Sequence, residues 1–182
     1  MATSDLFVML PGRLELTVSL PRNLNSFRDL ADLSKGLDEV DRLWRKANRD
    51  IWPRYIHPSE RRALLTRFHV GSSPVFVVAT DPAWLIVFIT ILVSYKPAKG
   101  NIREMISDVE GFASTLEGLT EDQIRLLIIG VQLYLEQLFG RGEKIALRLA
   151  ARLHRARARL IGEKDGPVRI SIRNATKNPK LR

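Results

Sequence analysis

Residues 13–20, Arg-Leu-Glu-Leu-Thr-Val-Ser-Leu, alternate between apolar and polar positions. A period of two puts Leu14, Leu16, Val18 and Leu20 on one side and Arg13, Glu15, Thr17 and Ser19 on the other, the signature of a half-buried β-strand. Pro21 stops it. The period then lengthens. Across residues 26–49, Phe27, Leu30, Leu33 or Ser34, Leu37, Val40 and Trp44 recur at three- and four-residue steps, which predicts one apolar stripe on a helix capped by Asn25 or Ser26. Gly36 weakens the middle of that helix. Pro53 and Pro58 enforce an irregular link beyond it.

Two short runs rich in apolar and β-branched residues, 63–70 and 74–80, flank Gly71-Ser-Ser and predict a hairpin. The second run is apolar on both faces, so it belongs inside the sheet. Asp81-Pro82 has the chemistry of a helix start, with Asp as cap and Pro at the first helical position, ahead of the apolar run Ala83–Tyr95. Asn101 with Glu104 and Thr120 with Gln123 have capping-box spacing and open helices to about Leu116 and Phe139. A last helix over 143–161 stops at Gly162. Residues 167–173 alternate again, with Val168, Ile170 and Ile172 facing inward.

Strand, helix, hairpin, several helices, strand is an α+β order. It predicts a small, mostly antiparallel sheet (strands near 13–20, 63–70, 74–80 and 167–173) packed with about five helices, in a single domain over 12–174. A basic flexible tail, 175–182, follows. The first and last strands are expected to pair beside the hairpin. Leu16, Val18, Phe76, Val78, Ile128, Val131 and Leu149 are the expected core.

Charge changes the picture more than composition does. Of the net +9, the last 42 residues carry 13 Lys/Arg against 3 Asp/Glu, whereas residues 1–140 carry 16 against 17. A neutral body joined to a basic element points to an acidic partner, either a nucleic-acid backbone or an acidic protein surface. At about 100° per residue, Lys144, Arg148, Arg152, Arg155 and Arg159 fall within a sector of about 80° on the last helix, and Arg141 extends it. Only Glu143 and Glu163 flank this ridge. No aromatic residue is interleaved, so any nucleic-acid contact is expected to follow the backbone without reading sequence.

Candidate chemistry is sparse. The chain has no cysteine, which removes disulfides, thiol nucleophiles and thiolate metal sites. His57, His69 and His154 have no metal-ligand spacing. The carboxylate clusters Asp38/Glu39/Asp41, Asp108/Glu110 and Glu121/Asp122 fit exposed helix faces and a favourable first turn. No phosphate loop, dinucleotide fingerprint or nucleophile elbow appears. The expectation is a non-catalytic interaction protein with no metal and no cofactor. The lack of cysteine and of a secretory signal fits the cytoplasm.

One alternative comes from Ala83–Tyr95. Trp84 and Tyr95 stand near its ends like interfacial anchors, and with Phe88 they could meet a membrane or a second copy of the chain. At 13 residues, about 20 Å of helix, the run is too short to cross a bilayer alone. The competing expectation is a buried core helix, with Leu85, Phe88, Ile89 and Leu92 packed on the sheet and neighbouring helices.

Overall fold

The computed structural model describes residues 13–50, 63–70, 73–94, 102–162 and 166–174. Four strands, β1 (Leu14–Ser19), β2 (Leu64–His69), β3 (Val75–Thr80) and β4 (Arg169–Asn174), form one antiparallel sheet in the order β2-β3-β1-β4. Five helices accompany them among the described residues: α1 (Phe27–Asp50), α2 (Pro82–Val93), α3 (Ile102–Ala113), α4 (Glu121–Phe139) and α5 (Glu143–Ile161). The fold is α+β. The outer strands of the sequence do pair, with Leu16 opposite Ile172 and also opposite Val78.

The alternation in β1 is reproduced residue by residue. Leu14, Leu16 and Val18 are buried against the helices, and Glu15, Thr17 and Ser19 line the half-open outer face. Phe76 and Val78 of β3 and Ile170 and Ile172 of β4 complete the inner face. β2 is an edge strand, with Leu64 and Leu65 exposed and a bulge between Leu65 and Arg67. Bulges and charged residues are common guards of sheet edges.

The other edge is closed by backbone. Glu117 donates its N–H to Ile170 O at 3.1 Å and accepts from Ile172 N–H at 2.8 Å, a bridge parallel to β4. For this bridge the chain must leave α3 at Ala113, short of the expected Leu116, and the Ser114 and Thr115 hydroxyls bond back to the Gly111 and Phe112 carbonyls. Gly118 makes the approach feasible: its φ is +93°, and a Cβ there would sit 1.9 Å from Ile172 O. Gly118→Ala is expected to cost about 2–3 kcal/mol, from a left-handed backbone plus a backbone overlap, measured as a fall in urea midpoint with unchanged slope.

α2 is the centre of the molecule. Every residue from Pro82 to Val93 is buried, and α1, α3, α4 and α5 all pack on it. Asp81 caps it through the Trp84 N–H, with Pro82 in the first turn. The hydroxyls at its C-terminal end are satisfied by its own carbonyls. The Thr90 hydroxyl donates to Ile86 O, and the Ser94 hydroxyl donates to Thr90 O. Phe88 meets Phe76 of the sheet edge-on and stacks on Trp84. The core expectation for this run therefore holds from Ala83 to Val93. Trp84 and Phe88 are inside the protein, so neither is placed to meet lipid or a second copy, and Tyr95 lies outside the described residues. Among the described residues no helix is long and apolar enough to cross a membrane.

Three expectations about burial need correction. The stripe of α1 splits, with Leu33, Val40 and Trp44 buried but Phe27 92% and Leu30 39% exposed. The first turns of α1 run past the edge of the core, so the periodicity continues where no described residue covers it. Ile128 and Leu149 are only half-buried. Leu149 belongs to the first half of α5, which also leaves Ile145 and Leu147 exposed.

Candidate anion-binding surface

α1 and α5 run antiparallel, in contact along much of their length. Gly36 of α1 abuts Leu160 and Arg159 near the end of α5, Glu39 meets Arg152, and Leu43 and Ala47 share a notch with Ile145 and Leu149 near its start. A Cβ at Gly36 would sit 2.9 Å from Leu160 Cδ2, so glycine lets the two helices approach. From the sequence alone, Gly36 reads only as a weak point in a helix.

Three arginines pin α5. Arg157 Nε donates to Leu92 O at 2.9 Å, tying α5 to the last turn of α2. Arg22, 6% exposed, donates to Arg159 O near the end of α5 and lies 3.6 Å from Asp29. Arg152 donates to Glu39 of α1. Arg152 is therefore not an open member of the ridge. It is half-buried in an interhelical pair, because its position borders the buried arc of Leu153, Ala156 and Leu160.

The rest of the expected ridge is exposed: Lys144, Arg148, Arg155 and Arg159 on α5, with Arg141 in the turn before it. None of them forms an ion pair with another described residue. Beside them lies a second row that the sequence reading missed. Arg28, Lys35, Arg42 and Arg49 of α1 follow each other at seven-residue steps, so they line one face, with Lys46 among them, and all are exposed. That face borders Glu39, the residue through which α1 meets Arg152, and Arg42 reaches within 3.8 Å of Glu39.

The ends of the two rows confirm their alignment. Arg28, Arg155 and Arg159 line one cleft together with Arg22, and Lys46 and Arg141 line one notch at the other end. The cleft has a volume of about 920 Å³ and is not purely basic, since Asp29 and Asp32 also line it. Asp29 is occupied locally: the Ser26 hydroxyl and the Asn25 N–H hold its carboxyl below the usual range.

The carboxylates of α1 are sorted by side. Glu39 pairs inward with Arg152, and Asp38 pairs along the helix with Arg42 at 3.3 Å. Asp41 points away from α5 and accepts the Trp84 indole N–H at 3.1 Å. Glu39 and Asp41 are therefore not an idle exposed face, as their spacing suggested. Local neutrality hid the second row: α1 carries acids and bases in similar number, and only its packing separates them. The seven-residue spacing of Arg28, Lys35, Arg42 and Arg49 was the legible signal.

The Glu39–Arg152 pair sits between the two basic rows. Glu39→Gln is expected to lower stability by about 1–2 kcal/mol, the discount for a pair with one partly exposed member. The same change removes a negative charge between two basic rows, so polyanion affinity should rise. Chemical denaturation and fluorescence anisotropy measure the opposite signs.

His69 lies exposed on the edge strand and His154 is half-buried on α5, whereas His57 lies outside the described residues. Among the described residues no three His, Asp or Glu side chains gather where a metal could be held. No family profile, curated protein or solved structure matches this chain.

Proposed function

We propose that this is a non-catalytic interaction protein that holds an acidic partner on the paired faces of α1 and α5. The observation that carries the reading is the side-by-side alignment of two basic rows. Lys144, Arg148, Arg155 and Arg159 stand on one helix and Arg28, Lys35 and Lys46 on the other, without carboxylate partners among the described residues. Unneutralised cations on a firm scaffold attract phosphates or carboxylates and repel one another, so a polyanion relieves a cost already present in the fold.

The rows extend over about 22 Å from Lys144 to Arg159, at 1.5 Å per residue. That length suits a run of backbone phosphates or an acidic helix better than a single small anion. Among the described residues Phe27 is the one strongly exposed aromatic, and it stands about 100° round α1 from Arg28, on the side away from α5, which favours contact with a charged backbone over base stacking. The burial of Arg22 and the Arg157 bond to Leu92 O support the same reading, because they fix the scaffold without using the exposed cations.

Retention of labelled single- and double-stranded nucleic acid on filters at low salt tests the backbone version, with polyglutamate as competitor for the acidic-protein version. The expected result is retention by the wild-type chain and little by the variant with Gln at Lys144, Arg148, Arg155 and Arg159. Wild-type retention of both probes no better than that of a neutral control protein would discard the proposal.

A further inference from the structure

On the side of α1 away from α5, the helix and the edge strand β2 leave a groove. Its walls are Leu30 and Leu37 of α1 and Leu65 and Phe68 of β2, and Trp84 contributes to the floor. Its volume is about 430 Å³, within the range of about 300–1,000 Å³ typical of small-molecule sites. We propose that this groove binds a small amphiphile: an apolar body carrying one protonated amine, with the amine at Asp41.

Three observations choose this ligand class. First, the apolar walls are open. Leu65 is 56% and Leu30 39% exposed, and Phe27, at 92%, extends the same side of α1 beyond the groove. An apolar trough on two facing elements, with no described residue over it, favours an apolar guest. Second, the charges at the groove are acidic, in a protein of net charge +9. Asp41 and Asp38 line it, and no cation does among the described residues. The nearby cation Arg45 turns its Nε back to the Asp41 carbonyl, and Arg42 pairs with Asp38.

Third, Asp41 is prepared for a charged donor. One carboxyl oxygen is fixed by the Trp84 indole N–H at 3.1 Å. Partial burial pushes its carboxyl above the usual range, outweighing the Trp84 hydrogen bond and the charge of Arg45 that act to lower it, so a further positive charge here would be favoured. An ammonium group would supply that charge at the border of water and the apolar trough, where a charge-assisted hydrogen bond is strong. A carboxylate or phosphate headgroup would meet repulsion at the same place. The groove and the basic rows lie on different sides of α1, so the two assignments stand or fall separately.

The test uses the full chain, isotope-labelled for amide and indole NMR, titrated at neutral pH and fixed salt with octylammonium, octanol and octanoate. Octylammonium should shift the amides of Leu30, Leu37 and Leu65 and the Trp84 indole signal, binding about tenfold more tightly than octanol, with octanoate weakest. Asp41→Asn keeps an acceptor for Trp84 and should reduce octylammonium to the level of octanol, leaving octanol unchanged. Leu65→Arg, at an exposed position, should remove binding of octylammonium while the spectrum stays that of the folded chain. Equal binding of octanoate and octylammonium, shifts confined to α5, or no groove shifts up to the solubility limit of the probes would each overturn the proposal. If Asp41→Asn does not fold, the ranking of the three probes and the Leu65→Arg result decide alone.

Discussion

Asp81→Ala is expected to cost about 3 kcal/mol, a large share of the roughly 5–15 kcal/mol that holds a domain together. Asp81 is 2% exposed and works for two helices. It caps α2 by accepting the Trp84 N–H at 3.0 Å, and it accepts the Trp44 indole N–H of α1 at 3.0 and 3.1 Å. Alanine removes the cap, at about 1 kcal/mol, and leaves the buried indole N–H of Trp44 without its acceptor, at about 1–3 kcal/mol.

Asp81→Asn separates these roles from the charge, since it keeps an acceptor for the cap and the indole. Desolvation raises the Asp81 pKa against the hydrogen bonds from Trp84 and Trp44 that lower it, so the ionised form is disfavoured in the folded state. The folded protein then binds the proton more tightly than the unfolded chain. The associated stability is present below the unfolded carboxylate pKa and is lost as pH rises through the raised folded value. Asp81→Asn should therefore lie within about 1 kcal/mol of wild type at neutral pH, and wild type should gain on it as pH falls towards about 4. Asp41 is raised in the same direction but is common to both proteins, so it cancels in the difference. Urea denaturation of the three proteins at neutral and acid pH reads all of this.

The second large effect concerns the basic face. Gln at Arg28, Lys35 and Lys46 should weaken polyanion binding about as much per residue as Gln at Lys144, Arg148, Arg155 and Arg159, although α1 belongs to the electrically neutral part of the sequence. The two sets together should cost on the order of a hundredfold or more at low salt, because each cation acts through released counterions. Stability should change little, since these side chains are exposed and unpaired among the described residues. Anisotropy titrations with each set and with both show whether α1 contributes at all.

Elements were legible where a local rule had no competitor. β1 alternates over its whole length and is buried on one side in that register. Asp81-Pro82 and Thr120 with Gln123 carry their start signals in the side chains themselves, and both caps form. α2 shows why burial was harder to read. An apolar run of this length suits lipid or a core equally, and only the four helices packed around it decide. The early end of α3 depends on Glu117 finding β4 more than 50 residues later, which no local pattern announces.

The candidate site divides in the same way. Periodicity placed Lys144, Arg148, Arg155 and Arg159 on one face, and they are exposed together there. It also placed Arg152 among them, because a wheel cannot show that Glu39 of another helix waits at that angle. Net charge concealed the α1 row, since summing over a segment discards the side on which each charge stands. The groove was invisible for the opposite reason: it is made of Leu30, Leu37 and Leu65, residues that read as ordinary core although no described residue forms a layer above them.

The central claim is that two helices, not one, form the anion-binding face. The slope of log affinity against log salt for a single-stranded nucleic-acid probe tests it most directly, because each neutralised phosphate contributes about 0.7 to that slope. The account predicts a steep slope for wild type, a shallower one with Gln on either row, and the shallowest with both. A wild-type slope near zero, or a slope that stays unchanged when Arg28, Lys35 and Lys46 become Gln, would contradict it.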